Sequence, residues 1–257
     1  SGSREEASQS MEVSNKMKEV ALLFPGQGSQ QAGMGSGPFS HSKQARSLMN
    51  RANSLLGFDL SSFMFGDSDE ALRPTEVAQP AIFVCSAMHL AVFQEKEIPF
   101  SVVAGHSLGE YSALYAAGVI TFDEGVLLTR KRGLFMKDSP AFPGSMMAVM
   151  GLTPEKVEEV ISPFPNVYIA NQNSLVQTVI SGEKSSLCEA KKACEEMGAS
   201  RVVELKVSAA FHTPFMEHAK REMHKEIEAT HFREPNCFVI PNCLAIPTKD
   251  VSQIKSA

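Results

Sequence analysis

The serine in Gly105-His106-Ser107-Leu108-Gly109 is the residue whose neighbours best suit nucleophilic chemistry. Glycines two before and two after a serine let a strand and a helix meet at a sharp turn without Cβ clashes. The oxygen is then presented at a helix N-terminus, where backbone dipoles favour negative charge. An apolar run before the motif and a small-residue run after it supply that strand–turn–helix context. The same pattern also fits a serine that merely caps a helix after a glycine turn. A hydroxyl is a weak nucleophile at neutral pH and needs a base. Of seven histidines, His89 sits in a mostly apolar stretch and reads as a core or boundary residue. His218, His224 and His231 lie on or beyond a charged helix and read as solvated. His106 adjoins the serine, but neighbouring side chains on a tight turn point apart. His212 falls just after a strand and just before Pro214, which suits a helix start at a sheet edge. It is the candidate base, with a structural turn histidine as the other reading. Acyl transfer also needs donors for an oxyanion. The Leu108 amide can be one. The other can come from the loop Pro25-Gly26-Gln27-Gly28, where glycine permits close backbone approach. That loop lacks G-x-G-x-x-G and G-K-S/T, which argues against a nucleotide phosphate cradle.

The elements that must carry these residues follow from periodicity. The run at 20–24 reads as a fully buried strand, 41–56 as an amphipathic helix and 81–95 as a mostly buried helix after a turn bracketed by Pro74 and Pro80. Then come a short strand at 101–105, a helix at 108–120, and a helix at 123–137 that ends before Pro140. From 145 to 207 the order is strand, helix, strand, strand, helix, strand, the ferredoxin-like βαββαβ unit. A helix at 214–229 and a strand near 237–241 follow. The expected fold class is α/β: a large hydrolase-like domain with a parallel sheet, 18–140 and 208–257, into which a ferredoxin-like small domain, 141–207, is inserted. Residues 1–17 are polar and read as a disordered tail.

The chain has 257 residues, 43% of them apolar and 21% charged, with a net charge of −5. That length buries a core without metals or disulfides. No domain-wide basic excess points to nucleic acid. No apolar run approaches the ~20 residues of a membrane span, and the N-terminus has neither an apolar signal core nor an Arg-rich, acid-poor transit composition. Five cysteines without a C-x-x-C pair read as free thiols, mostly small buried hydrophobes, in a reducing compartment. The expected location is the cytoplasm, or a plastid or mitochondrion after loss of a targeting segment.

Taken in order, LFPGQGSQ, GHSLGEYSAL with AAGVI, RKRGLFM, IANQNS with VISG, and FHTPFM resemble the malonyl-CoA:acyl-carrier-protein transacylases of fatty-acid synthesis, and more broadly the acyltransferase domains of polyketide synthases. The resemblance runs from about residue 17 to the end. It implies that Ser107 carries the acyl group, His212 is the general base, and the Gln27 and Leu108 amides form the oxyanion hole. It further implies that Arg132 grips the malonyl carboxylate. Met136, four residues on, shares its helix face, and a guanidinium suits a carboxylate bidentately. Arg130 and Lys131 then read as surface charges. Asn171 and Asn173 match cleft positions, and the aromatic Phe211 before His212, with Thr213 after it, matches the malonyl-type pattern. The implied partners are malonyl-CoA as substrate and acyl carrier protein, with no metal or bound cofactor, no nucleic acid, no membrane, and a monomeric enzyme.

The chain departs from the pattern in places. Leu175 and Val176 replace a frequent Pro-Gly, and FVIPNCLAIP stands where an Asn-containing segment is usual. The family continues for roughly a quarter of a domain beyond Ala257, including a carbonyl that orients the base, so the expectation is a shortened chain with weaker support for His212. The competing expectations are a trans-acting polyketide acyltransferase, a serine hydrolase or thioesterase with an acid such as Asp123 or Glu204, and a carrier-binding relic without activity.

Overall fold

The computed structural model describes residues 19–139, 143–207 and 209–257. The expected tail at 1–17 and the helix stop at Pro140 lie outside the described residues. In chain order the elements are β1 (Ala21–Phe24), α1 (Ser36–His41), α2 (Lys43–Leu56), α3 (Leu60–Phe65), a 3-10 turn Asp69–Leu72, α4 (Thr75–Gln94), β2 (Val102–Gly105), α5 (Gly109–Ala116) and α6 (Phe122–Asp138). They continue as β3 (Gly144–Met150), α7 (Pro154–Ile161), β4 (Val167–Ser174), β5 (Gln177–Glu183), α8 (Lys184–Glu196), β6 (Arg201–Glu204), a 3-10 turn Pro214–Met216, α9 (Glu217–Ala229), β7 (Phe238–Ile240) and α10 (Val251–Ser256).

The larger, α/β part is built on a parallel sheet in the order β1-β2-β7, with Ala21 opposite Val102 and Val102 opposite Phe238. The smaller part is an antiparallel sheet in the order β4-β5-β3-β6, the pairing pattern of a ferredoxin-like unit. Alternation along β3 divides its labour. Met147 and Val149 pack with Val157 of α7 and Leu187 of α8. Met146 and Ala148 point the other way, toward Met136, Val179 and Phe211. The helix-free face of the small sheet therefore roofs the space above the large domain's strand ends.

Close packing of α4 on α6 sets the floor of that space. A Cβ at Gly125 would stand 2.1 Å from the Phe83 ring, and one at Gly133 would stand 2.7 Å from Thr75 O. Only the absence of side chains there lets the two helices approach this far. A capping box of Thr121 and Glu124 starts α6, and Arg233 holds Glu124 through a 2.8 Å ion pair.

Several expectations need correction. The run at 20–24 is not fully buried: β1 is the edge of its sheet among the described residues, and Leu23 is 77% exposed. Pro80 does not mark a turn, because α4 starts at Thr75 and runs through it. Proline has no N–H to return to the carbonyl of Glu76, and Nη1 of Arg130 donates to that carbonyl instead, at 2.5 Å. Arg130, which also lies 5.0 Å over the Phe58 ring, is thus a packing residue, while Lys131 is a half-exposed surface charge paired with Glu226. With Pro80 inside it, α4 becomes long and apolar enough to cross a membrane, yet most of it is buried in this fold as a core helix. α5 ends at Ala116, short of the expected 120, and Gly118 follows with a left-handed φ of 76°. Of the cysteines, Cys194 and Cys237 are buried, but Cys188 and Cys243 are exposed.

Candidate active site

The turn from β2 to α5 is tight because glycine flanks it. A Cβ at Gly105 would lie 1.9 Å from the Gly109 carbonyl carbon, and one at Gly109 would lie 2.3 Å from Phe24 O. Between them Ser107 takes a left-handed φ of 51°, which costs a non-glycine residue on the order of 1 kcal/mol. The loop after β7 holds this conformation. The Ser107 N–H donates to Oδ1 of Asn242 at 2.8 Å, and Nδ2 of Asn242 donates to Gly105 O at 2.6 Å.

His212 reaches the same point from the far side of the small domain. It too is left-handed, with φ 58°, in a turn fixed by Thr213, whose hydroxyl donates to Ala210 O and accepts from the Phe215 N–H. Ser107 Oγ lies 2.9 Å from His212 Nε2. The residue is exposed at the cleft surface, yet protein atoms crowd closely around its ring. That burial, with the charges of Arg132 and His106 nearby, pushes its pKa down to about 4. The ring is therefore neutral near pH 7 and able to take a proton.

Arg132 completes the cluster. Its Nη2 donates to Ser107 Oγ at 3.2 Å and its Nη1 to Gln79 Oε1 at 2.9 Å, and the guanidinium sits 5.9 Å over the Tyr111 ring. Burial works against its charge, and Tyr111 and Glu110 partly offset this. Among the described residues no carboxylate forms an ion pair with it. An arginine stays protonated regardless, so a cation beside the serine oxygen is left to meet a carboxylate from outside. Glu110 is close, but burial raises its pKa above the usual range, against the pull of Asn242 and Arg132.

A cavity of about 230 Å³ joins these groups. Gln27, Ser107, Arg132, Met136, Asn171, Asn173, Phe211 and His212 all line it, under Met146, Ala148 and Val179 of the small sheet. Leu108 does not line it but is fully buried beneath the turn. Gly26 brings the first loop against the turn, since a Cβ there would stand 2.4 Å from His106 O. Among the described residues the Gln27 and Leu108 amides donate to no backbone carbonyl. Asn173 ties the small sheet to the turn through Oδ1, 3.2 Å from His106 Nε2.

Two contributors escaped the sequence reading. Gln79 is fully buried and relays between the loop and Arg132: its Nε2 donates to Gln27 Oε1 at 3.3 Å, while Gln27 Nε2 donates to Thr75 Oγ1 at 3.2 Å. A lone amide within an apolar run, directly before a proline, was the available signal. Asn242 lies in the very segment expected to depart from an Asn-containing pattern, and it is itself an asparagine bonded to the turn. The acids expected of a hydrolase are engaged elsewhere: Asp123 with Arg51, Glu204 with Lys184. Among the described residues no group of three His, Cys, Asp or Glu is placed to hold a metal.

Comparison with known proteins gives a consistent picture. Residues 21–251 match the acyl transferase domain family. The chain is 39% identical over 232 residues to the polyketide biosynthesis malonyl CoA-acyl carrier protein transacylase PksC of Bacillus subtilis, covering 89% of this chain and 79% of that one. Its structure resembles an acyl-carrier-protein-S-malonyltransferase from Bartonella henselae, with TM-score 0.88 and 35% identity over 93% of this chain and 78% of that one. It also resembles a malonyl-transacylase solved in complex with its type II polyketide acyl-carrier protein, with TM-score 0.88 and 34% identity, covering 93% and 79%.

Proposed function

This chain belongs to the acyl transferase domain family, and on that footing we infer that it moves a malonyl group from malonyl-CoA to the phosphopantetheine thiol of acyl carrier protein. The single observation that carries the reading is Ser107 Oγ held between His212 Nε2 and Arg132 Nη2. A base and a cation without a carboxylate partner among the described residues meet at one hydroxyl, which is what a nucleophile for a negatively charged acyl group requires. The pathway we assign is fatty-acid synthesis, whose transacylases the ordered motifs resemble, and the compartment is the cytoplasm.

The reaction runs in two halves. The malonyl carboxylate pairs with Arg132, which places the thioester carbonyl over Ser107. As Oγ attacks, His212 Nε2 takes its proton, and the Gln27 and Leu108 amides hold the oxyanion. The tetrahedral intermediate collapses, the C–S bond breaks, and the CoA sulfur leaves with the proton from His212. The carrier thiol then gives its proton to His212 and attacks the ester, and Ser107 recovers that proton on release. Every step uses side chains and amides of this chain, and none calls for a bound cofactor. Met136 and Phe211 wall the acyl pocket, and Asn171 and Asn173 present the small domain's edge to the substrate. We take the segment 141–207 to act as one small domain above the site.

The test is an intact mass spectrum after mixing with malonyl-CoA, without carrier, beside Ser107→Ala. A gain of one malonyl group in the parent and none in the variant is expected. A folded parent that gains nothing, or that only hydrolyses the thioester, overturns the reading.

A further inference from the structure

Beside the catalytic cavity lies a second, larger space of about 450 Å³ lined by Arg73, Glu204, Leu205, Lys206 and Val207. Leu205 and Val207 line both spaces, which are therefore neighbours. Each wall of this vestibule brings one cation, by a separate route. Arg73 stands two residues before Thr75, whose hydroxyl accepts from Gln27 of the catalytic loop. Lys206 sits at the tip of a turn closed by a 2.9 Å bond from the Val207 N–H to Leu205 O, while the Leu205 N–H is anchored to Met146 O at 2.8 Å. The turn leaves the two apolar side chains facing the cavity and the lysine exposed at its rim.

The carboxylates nearby are largely committed. Glu70 pairs with Arg73 at 2.6 Å. Glu204 faces Lys184 at 3.6 Å and accepts from the Ser145 hydroxyl at 3.0 Å. Lys206 has no carboxylate partner among the described residues. Arg73, Lys184 and Lys206 against Glu70 and Glu204 leave the vestibule positive, in a chain whose net charge is −5. An acidic protein that binds an anion must place its cations locally.

We propose that this vestibule holds the phosphate at the far end of the pantetheine arm, the group that CoA and the holo carrier share. This rests on the malonyl-transfer reading. The arm is a neutral, extended chain with its thioester at one end and a phosphate at the other. Leu205 and Val207 give it an apolar path from rim to Ser107, and Arg73 with Lys206 fix its register at the outer end.

The variant is Arg73→Gln with Lys206→Gln, both exposed and outside the catalytic cluster. Malonyl-CoA is compared with malonyl-pantetheine as donor, and holo carrier with pantetheine as acceptor. The KM for the phosphate-bearing partners should rise roughly three- to tenfold, the scale for two exposed charge contacts, with kcat unchanged. The KM for the phosphate-free partners should not move. A rise for CoA alone, or for the carrier alone, assigns the vestibule to that source. Calorimetric titration with phosphopantetheine against pantetheine gives the same contrast without turnover. Equal changes for both classes of ligand, or none, overturn the proposal. A parent that accepts malonyl from neither donor fails at the transfer reading instead, and the titration still decides the phosphate.

Discussion

Changing Gln79 to Glu tests the grip on the acyl group with almost no change of shape. Gln79 is fully buried, and its Oε1 already lies 2.9 Å from Arg132 Nη1. A carboxylate at that atom stays ionised beside the guanidinium. It occupies one side of the fork, and the malonyl carboxylate must take the other, roughly 6 Å away across the guanidinium. At an effective dielectric of about 20 the two like charges repel by about 3 kcal/mol, or roughly a hundredfold in rate. The acetyl group of acetyl-CoA carries no carboxylate and escapes this term. Quenched-flow acylation of Ser107, read by intact mass, should show malonyl transfer falling roughly a hundredfold relative to acetyl transfer. The lost donor to Gln27 Oε1 affects both substrates alike, so the ratio isolates the charge. If malonyl and acetyl acylation fall by one common factor, Arg132 does not hold the malonyl carboxylate and the substrate reasoning fails.

Because the His212 pKa is held at about 4, the acylation rate at saturating malonyl-CoA should be flat from pH 7 down to about 5 and fall only as pH approaches 4. A midpoint near the ordinary 6.5 would show that burial does not suppress the cation. The same group should lower fold stability as pH drops from about 6.5 to about 4, since the unfolded chain takes up a proton that the folded ring refuses. Urea unfolding of the parent and His212→Ala across that range should show the parent's steeper loss. Asn242→Ala removes the acceptor of the Ser107 N–H and the donor to Gly105 O. It should cost about 1–3 kcal/mol in denaturant unfolding and slow Ser107 acylation by malonyl and acetyl equally, because it releases the strained turn and not the carboxylate grip. A selective loss of malonyl transfer would contradict that assignment.

What was legible in the sequence was local. The glycines around Ser107 encode a close approach within five residues, so their spacing alone predicts the turn. Helical spacing puts Arg132 and Met136 on one face, and the alternation of strands and helices from 145 to 207 outlines the antiparallel sheet. The misreadings came where distant chain decides a local fate. Pro80 ought to stop a helix, but Arg130, fifty residues on, replaces the donor that proline lacks. The run at 20–24 has the composition of a central strand, but whether a strand is central or an edge depends on its neighbours, not its residues. His212 was ambiguous as a base because its role is a 2.9 Å distance to a serine 105 residues away. Gln79 and Asn242 gave almost no signal, since their partners stand 53 and 135 residues off. The sequence determined which residues could do the chemistry. Tertiary packing decided which of them share one cavity, because a hydrogen bond depends on separation in space and a chain's periodicity reports only separation along itself.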